Sequence, residues 1–496
     1  MISKVKKPNI ILLVLDTVRM DHLSCYGYEK RTTPTLDKIA DNATVYQNCY
    51  SPSCWTLPSH ASIFTGTYLS RHNVGDAGDV LDGQFITIAE FLKQQNYNTL
   101  GVCYIPWVSK ITGLDRGFDC FLTKFNRNIL FRVGKKIVDQ TKKQQRFQRE
   151  ANADVNKLRD TRWIEATTRS RFHWFKTLFS DDGAAFSQKT VMQWISEKKE
   201  HPFFAFINYC EPHTIYHPPL GFRRKFLNNK SRPFWRINQD HREVMYNNLL
   251  MTDEDFEILK ALYDGEISYV DWRIKYFIKF LKKQKIWDNT LLIVTSDHGE
   301  QFGEKKFMGH ARNLYNSLIK VPLIVKYPKG TEAPRLKNQF VQTVDLFPTI
   351  IDLLGESRNS INNQIQGNSL ISDSISKRDK HFIVSEYKMQ PFSGDCFQSY
   401  PQAILEKYLY ASRALIFDNY KYIWKSNGHE EMYQILLDVE ENTNLINQEI
   451  EKADLLREKL SSWLNSFEAH YLTDSKKEDF QVDDTVKDRL KALGYW

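Results

Sequence analysis

The sequence predicts an α/β fold: a mostly parallel central sheet with helices on both faces, followed by a small C-terminal α+β domain. Three apolar runs carry that prediction, because each ends in residues able to do chemistry. Asn9–Leu15 runs into Asp16, Phe203–Tyr209 into Glu211-Pro212-His213, and Leu291–Thr295 into Asp297-His298-Gly299. Continuous apolar strands belong to sheets covered on both faces, and ligands of open α/β sheets gather at the carboxyl ends of the strands.

The remaining elements follow from periodicity. Further strands are expected at Asn98–Tyr104, Val321–Lys326 and Phe382–Glu386. Helical spacing covers Thr35–Asn42, Phe85–Gln95, Ala184–Lys199, Asp253–Lys283 and Asp345–Leu354. A basic, partly helical insertion is expected at about 121–182. Beyond about Glu386 the texture changes: Ala414–Trp424 and Glu431–Val439 alternate like an antiparallel pair, and a polar helix follows from Ile450 to Phe467. The expected organisation is a catalytic domain at 1–386 and a smaller domain at 387–496.

Composition narrows the class. With 42% hydrophobic and 26% charged residues the chain reads as globular, and no apolar run approaches the roughly 20 residues of a membrane span. Seven scattered cysteines show no metal-type pairing, and no small-residue cleavage site follows the first apolar run. Both features lead us to expect a cytoplasmic location, with membrane-peripheral contact as an extension. The net charge of +8 is concentrated. From Lys124 to Lys176 fifteen basic residues face five acidic ones, so this stretch alone exceeds the excess of the whole chain. It reads as a solvated face, as a lid that attracts an anionic ester, or as a contact for an acidic membrane surface or another polyanion. No nucleic-acid partner is expected, since no recognised binding module accompanies the charge.

Asp16, Thr56, Asp297 and His298 form the constellation that carries chemistry. Two carboxylates, an imidazole and a hydroxyl suit one divalent cation, Mn²⁺, Ca²⁺, Mg²⁺ or Zn²⁺. A cation there would make the Thr56 oxygen nucleophilic near neutral pH. Thr56 also precedes Leu57-Pro58-Ser59-His60, which reads as a helix start whose amides face an incoming anion.

The motifs, in order, are Asp21-His22-Leu23-Ser24-Cys25-Tyr26-Gly27, Thr56-Leu57-Pro58-Ser59-His60 with Phe64-Thr65-Gly66, Glu211-Pro212-His213, and Tyr263-Asp264-Gly265-Glu266. Ser296-Asp297-His298-Gly299-Glu300, Gly309-His310 and Val321-Pro322-Leu323-Ile324 come next. Over nearly its full length the chain resembles the sulfatase branch of the alkaline phosphatase superfamily. That resemblance implies that Asp16, Asp297 and His298 hold the metal with Thr56 as fourth ligand and nucleophile. It also implies that His213 and His310 contact the substrate anion or protonate the leaving group, and that His60 lies at a substrate-binding position. Formylglycine sulfatases read Cys-x-Pro-x-Arg. Here Pro58 stands two residues after Thr56, not after Cys54, so Thr56 occupies the nucleophile's place and His60 the arginine's. Thr17 stands where those enzymes carry a second aspartate.

A threonine hydroxyl does not become formylglycine, so the expected reaction is hydrolysis or transfer of a phosphate ester through Thr56. Two alternatives stay open: a sulfuric ester hydrolase of the same fold, and a catalytically silent scaffold that binds through its basic insertion.

Overall fold

The computed structural model describes residues 7–123, 181–197, 201–227, 233–246, 249–310, 312–331, 338–357, 361, 363–371, 382–390 and 400–472. The central sheet has seven strands: β1 (Asn9–Leu15), β2 (Thr44–Tyr46), β3 (Asn98–Val102), β4 (Cys120–Leu122), β5 (Phe203–Tyr209), β6 (Thr290–Thr295) and β7 (Leu323–Lys326). Their spatial order is β2-β7-β6-β1-β5-β3-β4. β1 lies between β5 and β6, parallel to both, with Ile10 opposite Phe204 and Leu291. Every residue of these three strands is buried, which is why they read as unbroken apolar runs. The sheet is mostly parallel, as expected; β7 departs from that rule, running antiparallel to both β6 and β2.

Seven helices are named here: α1 (Pro34–Ala40), α2 (Thr56–Thr65), α3 (Ile88–Gln94), α4 (Ala184–Glu197), α5 (Asp253–Lys283), α6 (Leu346–Leu353) and α7 (Ile450–Leu464). α5 packs with α1 and α4, while α2 packs with α3 and α6. A capping box starts α5: Thr252 Oγ1 accepts from Asp255 N, and the Asp255 carboxylate accepts from Thr252 N. Its interior has neither proline nor a second cap, so it runs for 31 residues.

The C-terminal region forms a second, antiparallel sheet of β8 (Ile383–Tyr387), β9 (Ser412–Phe417), β10 (Tyr420–Lys425) and β11 (Glu430–Gln434). Leu456, Leu460 and Trp463 of α7 close its core with Leu415, Tyr422 and Met432. Two details differ from the sequence reading. Phe382–Glu386 joins this sheet and not the parallel one. Ala414–Trp424 is a tight hairpin, because Asp418 and Asn419 both take positive φ (52° and 64°) and turn the chain in two residues. The basic run from Lys124 to Lys176 lies outside the described residues. Among the described residues no helix is long and apolar enough to cross a membrane.

Candidate active site

The carboxyl ends of β1 and β6 bring Asp16, Asp297 and His298 together. One ligand atom from each lies within 4.8 Å of the others, and all three residues are buried. Asp16 is fixed at the end of β1 by its amide, which donates to Tyr209 O at 3.0 Å. The chain then turns through Thr17 in the left-handed region (φ 58°). That unfavourable backbone is held from α5: Tyr263 Oη donates to Thr17 O (2.6 Å) and accepts from Arg19 N (2.7 Å). Arg19 in turn makes a two-pronged pair with Asp21.

Thr56 is the first residue of α2, after an extended Trp55 that contributes no side-chain cap. Its hydroxyl lies 3.2 Å from His298 Nε2. Two serines join the helix to the metal-ligand loop. Ser59 Oγ donates to Asp297 O at 2.7 Å and Ser51 Oγ to the same oxygen at 2.5 Å. Asp297 Oδ1 accepts from Thr17 N and His298 N. Gly299 is required next, since a Cβ there would come within 2.0 Å of Ser317 O.

His298 Nδ1 donates to Gly299 O at 2.9 Å, the tautomer that leaves the Nε2 lone pair for a ligand. Nε2 lies 3.4 Å from Asp297 Oδ2 and 3.8 Å from Asp16 Oδ1. Both Asp16 oxygens and Asp297 Oδ2 are buried with no hydrogen-bond partner. Burial, then Asp297, then Glu300 push the Asp16 carboxyl well above its usual range. Unpaired buried carboxylates are costly without a positive partner. Two carboxylates, an imidazole and a hydroxyl fit a divalent cation, and these orphaned oxygens are the observation that supports the fit.

The other expected residues divide. His213 and His310 come to this centre: the His310 ring lies 4.6 Å from that of His298 and 4.9 Å from that of His213. His213 Nδ1 is held by Thr214 O (2.8 Å) and His310 Nδ1 by Glu300 Oε1 (3.1 Å). Burial first, and the neighbouring imidazoles second, bring His213 and His298 down to about 3; burial and His241 do the same for His310. All three rings are therefore neutral at pH 7. His60 has a different place. Its Nδ1 donates to Thr56 O at 2.9 Å, Asn208 Nδ2 donates to its Nε2 at 3.1 Å, and Phe64 and Phe206 flank the ring edge-on. With both nitrogens in protein hydrogen bonds and Asp297 Oδ2 at 3.6 Å, His60 braces the centre rather than reaching for an ester.

Sequence reasoning assigned no role to Ser51, Ser59, Asn208, Tyr263 or Glu300. Ser59, Tyr263 and Glu300 stand inside the motifs quoted above, whereas Ser51 and Asn208 carried no local signal. Cys54 is buried outside the ligand cluster, and burial pushes its thiol up to about 12.

Comparison with known proteins addresses the family and the fold. The family description "Sulfatase" matches residues 8–356, and "N-sulphoglucosamine sulphohydrolase, C-terminal" matches residues 303–470. An arylsulfatase of Clostridium perfringens (strain 13 / Type A) is 25% identical over 497 residues, covering 95% of this chain and 97% of the relative. The uncharacterized sulfatase YidJ of Escherichia coli (strain K12) is 23% identical over 455 residues, covering 89% and 83%. Among solved structures, the phosphonate monoester hydrolase of Agrobacterium radiobacter superposes with a TM-score of 0.65 at 19% identity, covering 92% of this chain and 95% of that one. With a family match over most of its length and the same architecture from end to end, the chain belongs to the sulfatase family, whose members are metal-dependent hydrolases.

Proposed function

We propose that this protein cleaves or transfers a phosphate ester, of the phosphodiester or phosphonate monoester type, with Thr56 as nucleophile. The supporting observation is the 3.2 Å approach of Thr56 Oγ1 to His298 Nε2 beside the two orphaned aspartates. Cys54, two residues upstream, is walled into the core. A divalent cation held by Asp16, Asp297 and His298 would lower the pKa of the Thr56 hydroxyl and offset charge on the ester oxygens.

The chain's own residues set the rest. The Thr56 hydroxyl gives up its proton to solvent as Oγ forms a bond to phosphorus, and the bond to the leaving oxygen breaks as that oxygen takes a proton from His213 or His310. An arriving anion favours protonation of His213 and His310, and the protonated rings donate to the ester oxygens. Glu300, hydrogen-bonded to His310, steadies that charge. Water or an alcohol then attacks phospho-Thr56 and returns the free hydroxyl.

A second reading, hydrolysis of a sulfate ester, is supported by the relatives, which include an arylsulfatase and an N-acetylglucosamine-6-O-sulfatase. The phosphonate monoester hydrolase among the solved structures supports the first. The two diverge at the intermediate, because a sulfo-threonine has no carbonyl collapse to expel sulfate.

Rapid quenching with a phosphodiester, a phosphonate monoester or an aryl sulfate, followed by peptide mass spectrometry, tests this. A Thr56 peptide carrying the phosphoryl or phosphonyl group with its non-leaving substituent is expected, with Thr56→Ala lowering turnover roughly 10⁴-fold or more, as for loss of a nucleophile. Turnover that survives Thr56→Ala but disappears in Cys54→Ala would overturn the assignment.

A further inference from the structure

A second feature lies at the other end of the sheet. Trp287 and Asp288 immediately precede β6, and Lys326 ends the antiparallel β7 opposite Leu292, so both mark the amino edge of β6. From Asp288 to Asp297 the chain advances roughly 30 Å at about 3.3 Å per residue. At this amino edge α1, α5 and the segment after β7 enclose an open cleft of about 830 Å³. Lys38, Lys275, Lys279, Lys282, Lys326 and Lys329 line it, against Asp41 and Asp288. Among the described residues none of the six ammonium groups makes a salt bridge, although Lys326 Nζ donates to Trp287 O (2.5 Å) and Thr290 O (3.0 Å), which leaves the other five to face the cleft. The lysines that do pair with carboxylates, such as Lys30, Lys93, Lys260 and Lys388, stand elsewhere.

The cations converge from three segments. Lys275, Lys279 and Lys282 share one face of α5 and span about 10 Å at 1.5 Å per residue. Lys38 comes from α1, and Lys326 and Lys329 from the end of β7 and the loop beyond it. Mutual repulsion of this kind is tolerated most readily where anionic groups occupy the cleft.

The rings nearby narrow the class of ligand. Lys326 Nζ lies 4.7 Å and Lys282 Nζ 5.5 Å from the Trp287 ring centre, and Lys279 Nζ lies 5.7 Å from that of Tyr276. These rings already carry ammonium groups, so they are not the bare stacking platform that bases require. Lys326, 8% exposed, sits deep in the concavity, where a flat bilayer does not reach. We infer that this cleft is an accessory binding site for a linear acidic polysaccharide bearing sulfate or phosphate esters. The site is separate from the Thr56 centre and does not depend on the reaction proposed there.

The test uses the full chain and fluorescein-labelled dextran sulfate. Anisotropy titrations should show binding that weakens with salt, and the triple variant Lys275→Glu/Lys279→Glu/Lys282→Glu should raise Kd about tenfold or more. Turnover of a small ester should be unchanged in that variant, which also reports that it folds. Acetylation footprinting read by mass spectrometry should show Lys38, Lys275, Lys279, Lys282 and Lys329 protected by the polymer. Unchanged affinity in the triple variant, with protection confined to lysines between 124 and 176, overturns the proposal. So does equally tight, equally located binding of single-stranded DNA or of anionic vesicles.

Discussion

Buried charge is handled in opposite ways at the two sheets. In the second sheet the buried ions Glu386 and Lys421 have oppositely charged partners in place. Glu386 pairs with Arg413 (Nε to Oε1, 2.9 Å) and accepts from Ser70 N at 2.7 Å. Lys421, fully buried, pairs with Glu441 and donates to Leu314 O and Asn316 Oδ1. At the carboxyl edge of the central sheet, Asp16 has no partner for either oxygen and Asp297 none for Oδ2, and Glu300 adds further negative charge. Charges that maintain a fold are satisfied within it; charges reserved for a ligand are left exposed to each other. That difference sets the carboxyl edge of the central sheet apart without reference to any relative.

Substitutions can break the contrast. The largest effect is expected on the satisfied side. Glu386→Gln leaves Arg413 buried without its counter-charge, and unfolding by urea should show a loss of about 3–5 kcal/mol. A loss below 1 kcal/mol would mean the pair is screened and the contrast is not real. On the unsatisfied side, Asp16→Asn removes one of two crowded carboxylates. Metal-free stability should hold or rise, while stabilisation by added Mn²⁺ or Ca²⁺, about 2.7 kcal/mol at a hundred times Kd in the parent, should disappear. If the variant is destabilised without metal and still responds to it, Asp16 is a structural residue.

Read over a single pH unit, the smallest effect is one of pH. His72 is buried near the second sheet, accepts from Val74 N at 3.0 Å and lies 2.9 Å from Ser62 Oγ. Burial, then Lys388 and His470, lower its pKa to about 3. The unfolded chain takes up this proton near pH 6.5 and the folded chain refuses it until about 3. The contribution is therefore complete above 6.5 and lost as pH falls through that window, by at most about 1.4 kcal/mol per pH unit. Urea midpoints measured across the window should fall less steeply for His72→Asn, whose amide oxygen can still accept from Val74. Equal slopes would assign the acid sensitivity to other groups.

Much of this was legible in the sequence. That Asp16, Asp297 and His298 cluster was legible because buried parallel strands are unbroken apolar runs whose carboxyl ends are visible as the first polar residues. Thr56 emerged from its proline spacing. The braces were not legible, because Ser51, Ser59 and Asn208 act through contacts between segments far apart in the chain, where no periodicity reports them. His60 was assigned to the substrate because it stands where the resembling family carries an arginine, a correspondence that does not report Asn208 donating to its Nε2. The β9–β10 hairpin was missed for a local reason: an Asp-Asn turn without glycine was read as part of one alternating strand.

β8 has one further consequence. Glu386 N donates to Pro52 O, Ser53 Oγ donates to Glu386 O, and Ser385 Oγ donates to Ser51 O. The edge of the small sheet thus clamps the residues that lead into Thr56. Anyone shortening this chain to an isolated catalytic half, or grafting a foreign tail after residue 386, would be removing the sheet neighbours of the clamp that aims the hydroxyl. The C-terminal sheet is thus part of what holds the segment ahead of Thr56 in place, and exchanging it would shift that segment without altering any residue of the Asp16, Asp297 and His298 cluster.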